Sequence, residues 1–151
     1  MRHLLTATAL VSLTVLASCV SRGSDSGFTS LPASGWAYGD TLLFDVARAD
    51  SLAPVELRVA VRNNNDFPYS NLWLEVTYTD GRLSHRDTVN MPLADVYGRW
   101  IGKGFGAQYQ SDAVVATHIT PPNGSRIGVR HVMRTDTLTG LEQVGITLTA
   151  L

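Results

Sequence analysis

The sequence predicts an all-β fold, an antiparallel two-sheet β-sandwich of jelly-roll or immunoglobulin-like kind, and three observations predict it. Apolar residues recur at every second position, most cleanly in Val55-Glu56-Leu57-Arg58-Val59-Ala60-Val61-Arg62, the signature of a half-buried strand. Thirteen Gly and six Pro, set among many Val, Thr and aromatic residues, suit short strands joined by frequent turns. Helix formers are scarce: Lys103 is the only lysine against eleven arginines, and glutamate occurs three times, so surface helices laced with Glu and Lys pairs are not expected.

Each element follows from local pattern. Thr41 to Ala47 aligns Leu42, Phe44 and Val46 on one face, and Leu72 to Tyr78 aligns Leu72, Leu74, Val76 and Tyr78. Asp80-Gly81 tolerates the positive φ of a type I′ turn and would pair Leu72 to Thr79 with Arg82 to Val89. Ala113 to Ile119, Ser125 to Met133 and Val144 to Leu151 read as further strands, with Pro121-Pro122-Asn123-Gly124 as the turn between the first two. About seven strands, each with one dry face, are covered most simply by two stacked sheets, although a closed barrel satisfies the same alternation. No repeat is visible, and the 44% apolar, 17% charged composition is that of one globular domain.

The amino-terminal stretch has a different character. Arg2 followed by a short apolar run from Leu4 to Leu16 reads as a signal peptide over residues 1–18, too short to cross a hydrocarbon core that needs about 20 apolar residues. Leu16-Ala17-Ser18-Cys19 has the form of a lipobox: small residues before the only cysteine of the chain, whose thiol would accept the lipid. A lone thiol in an exported chain has no disulfide partner within it, and several acyl chains there would anchor it to a membrane far more firmly than one myristoyl group does. Residues 19–35, rich in Ser and Gly, read as a lipidated tether with an average reach of roughly 20 to 24 Å if flexible, and residues 36–151 as the sandwich domain. Cleavage before Cys19 would leave eleven basic against thirteen acidic side chains, a net charge of −2. That balance, with no basic stripe, excludes a nucleic-acid partner.

Two segments interrupt the alternation. Residues 90–112 form a long aperiodic connection around Tyr97-Gly98-Arg99-Trp100-Ile101-Gly102-Lys103-Gly104-Phe105-Gly106. Its glycine spacing is wrong for a phosphate loop and no helix pattern follows, so no nucleotide is expected. Trp100 and Phe105 have two readings, a cap over the open end of the sandwich or an exposed aromatic anchor. Asn63-Asn64-Asn65-Asp66-Phe67-Pro68-Tyr69 reads as a turn stabilised by Asn side chains, with too few carboxylates for calcium. His85, His118 and His131 fall on separate strands, outside any metal-ligand spacing, and no nucleophile-and-base pattern is found. The chain is therefore read as non-enzymatic, with no metal and no cofactor.

Particular residues then point to a family. Leu31-Pro32-Ala33-Ser34-Gly35-Trp36, Val61-Arg62-Asn63-Asn64-Asn65-Asp66-Phe67-Pro68-Tyr69-Ser70-Asn71-Leu72, and Gly98-Arg99-Trp100-Ile101-Gly102-Lys103-Gly104-Phe105-Gly106 resemble the gliding-motility lipoprotein GldH family of Bacteroidota. His131-Val132-Met133-Arg134 and Gly140-Leu141-Glu142-Gln143-Val144-Gly145 look like the family's closing segments, while the abundance of Arg and Ala departs from its Lys-rich sequences. The resemblance implies a lipid-anchored cell-envelope protein, outer-membrane in location, that partners other gliding-motility envelope proteins and is associated with type IX secretion. It carries Cys19 across as the acylated residue. Asn63, Asn64, Asn65, Asp66, Arg99, Trp100, Lys103 and Phe105 are the candidate interaction surface. The alternative is a carbohydrate-binding sandwich that holds surface polysaccharide or peptidoglycan through Trp73, Trp100 and Tyr97.

Overall fold

The computed structural model describes residues 24–151, which form eleven β-strands and no helix. In chain order these are β1 (Ser24–Ser30), β2 (Trp36–Ala37), β3 (Leu42–Asp45), β4 (Val55–Asn63), β5 (Asn71–Asp80), β6 (Leu83–Pro92), β7 (Lys103–Phe105), β8 (Gln108–Ile119), β9 (Arg126–His131), β10 (Thr137–Leu138) and β11 (Leu141–Ala150). One antiparallel sheet runs β1-β11-β4-β8-β7, a second runs β3-β9-β5-β6, and β2 pairs with β10 in a short ribbon. The expected signal peptide over residues 1–18 and the expected lipid-attachment residue Cys19 lie outside the described residues.

The two large sheets share one core, which makes the fold the antiparallel sandwich that the alternation calls for. Leu57, Val59 and Val61 of β4 and Val144 and Leu148 of β11 meet Leu72, Leu74 and Val76 of β5 and Ile127 and Val129 of β9, all buried. Burial of each such side chain contributes on the order of 1.5 to 3 kcal/mol, and this is why the two-residue period survives into the structure. The opposite face of β4 is polar and cross-linked. Arg58 Nε donates to Asp112 Oδ2 at 2.7 Å, and Arg62 Nε donates to Gln110 Oε1 at 2.9 Å while its guanidinium lies 4.2 Å over the Phe28 ring. All seven anticipated strands are present, as β3, β4, β5, β6, β8, β9 and β11.

Three expectations need correction. The tether does not run to residue 35, because Ser24–Ser30 is an edge strand paired with β11 from Ser24↔Thr149 to Ser30↔Gln143. It joins the sheet through backbone hydrogen bonds, with Phe28 as its one large apolar residue, so it shows no apolar period. The stretch 90–112 is not one open loop. Met91 and Leu93 continue inward from β6 on either side of the exposed Pro92, and β7 and β8 form a hairpin. Finally, the β5–β6 turn is one residue later than expected: Asp80 pairs with Leu83, leaving Gly81-Arg82 as the loop. Gly81 has φ 58° at the first loop position, where a type II′ turn takes glycine. Asp80 is held elsewhere, since its Oδ1 accepts the Thr120 N–H at 2.8 Å and the Thr120 hydroxyl at 3.0 Å. Leu74 thus faces Val89 rather than Asp87, a two-residue offset that leaves every side chain on its expected face.

Candidate interaction surface

At the end of the sandwich where β4 stops, three segments converge: the Asn-rich turn after β4, the hairpin after β6 and the chain leading into β11. The Asn64 N–H donates to the Gly140 carbonyl at 2.9 Å, and Asn64 Nδ2 donates to Glu142 Oε1 at 3.1 Å. Gly140 has φ 79° and lies so close to the turn that a Cβ there would stand 2.3 Å from the Phe67 nitrogen. Only glycine permits both the left-handed backbone and that approach. Within the turn, Asn64 Oδ1 accepts the Asp66 N–H at 2.9 Å, an Asx turn of the kind expected from consecutive asparagines. Leu31, Gly35, Asn64, Gly140 and Glu142 line a polar cleft of about 660 Å³ beside it, which brings the opening, middle and closing sequence motifs to one place.

Trp100 joins the two loops. Its indole Nε1 donates to Asn65 Oδ1 at 3.0 Å, and its ring centroid lies 6.5 Å from Phe67 and 5.9 Å from Tyr109. Trp100 is half-buried against the core, so it caps the end of the sandwich and leaves part of the ring at the surface. The other candidates divide. Asn65, Asp66, Arg99 and Lys103 are exposed, and Asn64 is half-buried. Asn63 is fully buried, because as the last residue of β4 it keeps that strand's inward register, and it lies beneath the surface rather than on it. Phe105 ends β7, paired with Gln108.

Leading up to Trp100, the chain forms a second, smaller hairpin, closed by an Ala94↔Trp100 bridge and by the Asp95 N–H on the Arg99 carbonyl at 2.9 Å. Asp95 organises its tip. Oδ1 accepts the N–H groups of Tyr97 and Arg99, each at 2.9 Å, and Oδ2 accepts Arg99 Nε at 2.8 Å. The Arg99 backbone N–H, together with the Arg99 side chain and the Tyr97 N–H, holds this carboxyl below its ordinary value. The tip so braced presents Val96 at 94% and Tyr97 at 81% exposure, with the Arg99 guanidinium 5.3 Å from the Tyr97 ring. Val96 was not singled out by sequence reasoning, and Tyr97 only for stacking on sugars. The available signal was the spacing of Asp95 and Gly98 around two apolar residues, which is that of a tight turn.

The histidines are dispersed, as expected. His118 is exposed and sits in a β-bulge with φ 58°, whereas His85 stacks on Tyr78 with centroids 5.2 Å apart. His131 is completely buried between Trp36 and Tyr38, and its Nε2 lies 3.1 Å from the Trp36 carbonyl, which can only accept, so Nε2 carries the proton. Burial pushes its imidazole below the ordinary value. Among the described residues, no group of three or more His, Cys, Asp or Glu side chains could hold a metal ion.

What the surface offers is apolar contact around a rigid polar frame. The chain is 34% identical over 73 residues to a protein of Christiangramia forsetii named gliding motility lipoprotein GldH homolog, a match covering 47% of this chain and 44% of the relative. It is 30% identical over 97 residues to the gliding motility lipoprotein GldH of Flavobacterium johnsoniae, covering 64% of this chain and 60% of the relative. Both alignments span less than two thirds of the relative's length. The GldH lipoprotein family model matches residues 26–148, from the first edge strand to the last, and the chain belongs to the GldH lipoprotein family.

Proposed function

We propose that this chain is a lipoprotein of the cell envelope, anchored through fatty acids on Cys19 after removal of residues 1–18, that serves gliding motility and the linked type IX secretion apparatus. It acts by binding other envelope proteins, not by catalysis, and the outer membrane is its location. The observation that carries the interaction reading is the braced hairpin tip. Folding gains nothing from Val96 and Tyr97 at high exposure, yet Asp95 fixes the backbone that displays them. Large apolar side chains on a pre-ordered turn are what a protein partner can bury at small entropic cost. Asn65, Arg99 and Trp100 flank the tip and extend the contact.

The experiment is the double substitution Val96→Ser and Tyr97→Ser in gliding cells, with protein level and melting temperature measured beside cell movement. Lost gliding from a normally folded, normally abundant variant supports the reading, and undiminished gliding overturns it. The carbohydrate alternative has one observation in its favour: Trp73, 42% exposed, sits with Tyr69, Val132, Met133 and Arg134 around a shallow depression of about 600 Å³. Against it, Trp100 offers a sugar only part of its ring, and its N–H is already taken by Asn65. Glycan-array binding abolished by Trp73→Ala would favour that alternative.

A further inference from the structure

The sandwich has two chemically different ends, and β1 runs from one to the other. Its last residue, Ser30, pairs with Gln143 beside the loop surface, while its first, Ser24, pairs with Thr149, which pairs in turn with Glu56 at the start of β4. The loops near Ser24 therefore belong to the end opposite Trp100. Three leucines are exposed there, Leu52 at 85%, Leu83 at 69% and Leu151 at 60%.

Each of these leucines is held in a defined position. Asp50 Oδ1 accepts the N–H groups of Leu52 and Ala53 at 2.9 and 3.2 Å, fixing the turn that carries Leu52. Leu83 follows the Gly81-Arg82 loop, which is tied to the same end by the Gly81 N–H on the Thr120 carbonyl at 3.1 Å. Leu151 donates its N–H to the Pro54 carbonyl at 3.2 Å. Arg48 braces the same loops, with Nη1 on the Pro121 carbonyl at 3.2 Å and its backbone N–H on Asn123 Oδ1 at 3.0 Å. The exposed Arg82 stands next to Leu83. By contrast, the exposed aromatics Tyr69, Trp73 and Tyr97 lie at or near the loop end.

The length of chain ahead of β1 says what covers the leucines. Cys19 and Ser24 are joined by five Cα–Cα steps of about 3.80 Å, so whatever path the chain takes between them, their separation cannot exceed about 19 Å. An acylated Cys19 lies at the bilayer surface, and the leucine end of the domain is thus confined beside it. We propose that Leu52, Leu83 and Leu151 dock into the headgroup layer of the membrane that receives the Cys19 acyl chains, with Arg82 placed to meet lipid phosphates. The domain then stands upright, and β1, about 20 Å long, sets the Trp100 and Tyr97 loops that far above the lipid. This inference rests on the reading of Cys19 as the lipidated residue.

The test is hydrogen exchange on the full acylated protein in nanodiscs of phosphatidylethanolamine and phosphatidylglycerol, compared with the Cys19→Ser protein in buffer, with intact mass read on both. The expected result is exchange slowed about tenfold in peptides covering residues 48–54 and 80–84 and unchanged in 94–100. The Leu52→Ser, Leu83→Ser double variant should remain bilayer-bound through its lipid, melt as wild type does, and lose that protection. An acylated, bilayer-bound protein whose 48–54 and 80–84 peptides exchange as in buffer overturns the docking while leaving the lipid anchor intact. A mature protein whose mass lacks fatty acid overturns both.

Discussion

Substituting Gly140 by Ala tests whether the Asn-rich turn and the approach to β11 form one fixed unit. An L-residue at φ 79° costs about 1 to 2 kcal/mol in backbone strain alone. The new methyl would also lie 2.3 Å from the Phe67 nitrogen and 2.5 Å from its Cα, where ordinary contact begins near 3.4 Å, so the turn must retreat by about 1 Å. That retreat stretches the 2.9 Å bond from Asn64 to the Gly140 carbonyl, worth about 1 kcal/mol, and lifts the buried Phe67 partly out of the core, about 1 kcal/mol or more. The sum is about 3 to 5 kcal/mol. Gly81→Ala is the matched control, since φ is also positive at 58° but nothing lies within 4 Å of the new methyl, so only the strain of about 1 to 2 kcal/mol remains. Urea denaturation followed by tryptophan fluorescence should show the midpoint of the Gly140 variant falling at least about twice as far. Equal shifts for the two variants would mean that the turn is not seated on Gly140, and the geometry of the interaction surface would be wrong.

Two further outcomes are expected. The unfolded chain protonates His131 near its ordinary pKa of 6.5 and the folded chain only below that, so the stability from keeping this ring neutral is complete above pH 6.5 and is lost as the pH falls from there through the lowered folded value. Unfolding free energies from urea denaturation between pH 7.5 and 5 should fall with a slope of up to about 1.4 kcal/mol per pH unit from this group, and His131→Gln should flatten the curve. Asp95→Ala removes the acceptor for two backbone N–H groups and one guanidinium, so amide exchange at Tyr97 and Arg99 should rise by about tenfold while the melting temperature stays near wild type. Unchanged exchange would show that the carboxylate does not order the tip.

The core was legible in the sequence because burial and strand pleat share a period. Leu57, Val59 and Val61 and, in the facing sheet, Leu72, Leu74 and Val76 are inward as their spacing requires. What escaped notice was structure too short or too polar to show a period: β1, with Phe28 as its one large apolar residue, the two-residue strands β2 and β10, although their Trp36 and Leu138 are buried, and the three-residue β7. The Asp80 turn was misplaced by one residue because Thr120, forty positions away, claims the Asp80 carboxylate. The surface was legible in parts. Both loops stand out as breaks in alternation, yet the hydrogen bond that joins them, from Trp100 to Asn65, spans 35 positions and leaves no local trace. Asn63 was grouped with its neighbours by composition, although the alternation of β4, carried one step further, places it inside.

The central claim, that this lipoprotein works through protein contacts made by the tip at Val96 and Tyr97, is tested most directly by crosslinked affinity capture from intact cells. The acylated wild type is compared with the Val96→Ser, Tyr97→Ser variant at matched abundance. The account expects one or more specific envelope proteins to be recovered with the wild type and to drop at least about tenfold with the variant, the scale of losing one aromatic hot spot. Identical recovery from the two, or polysaccharide in place of protein, would contradict it.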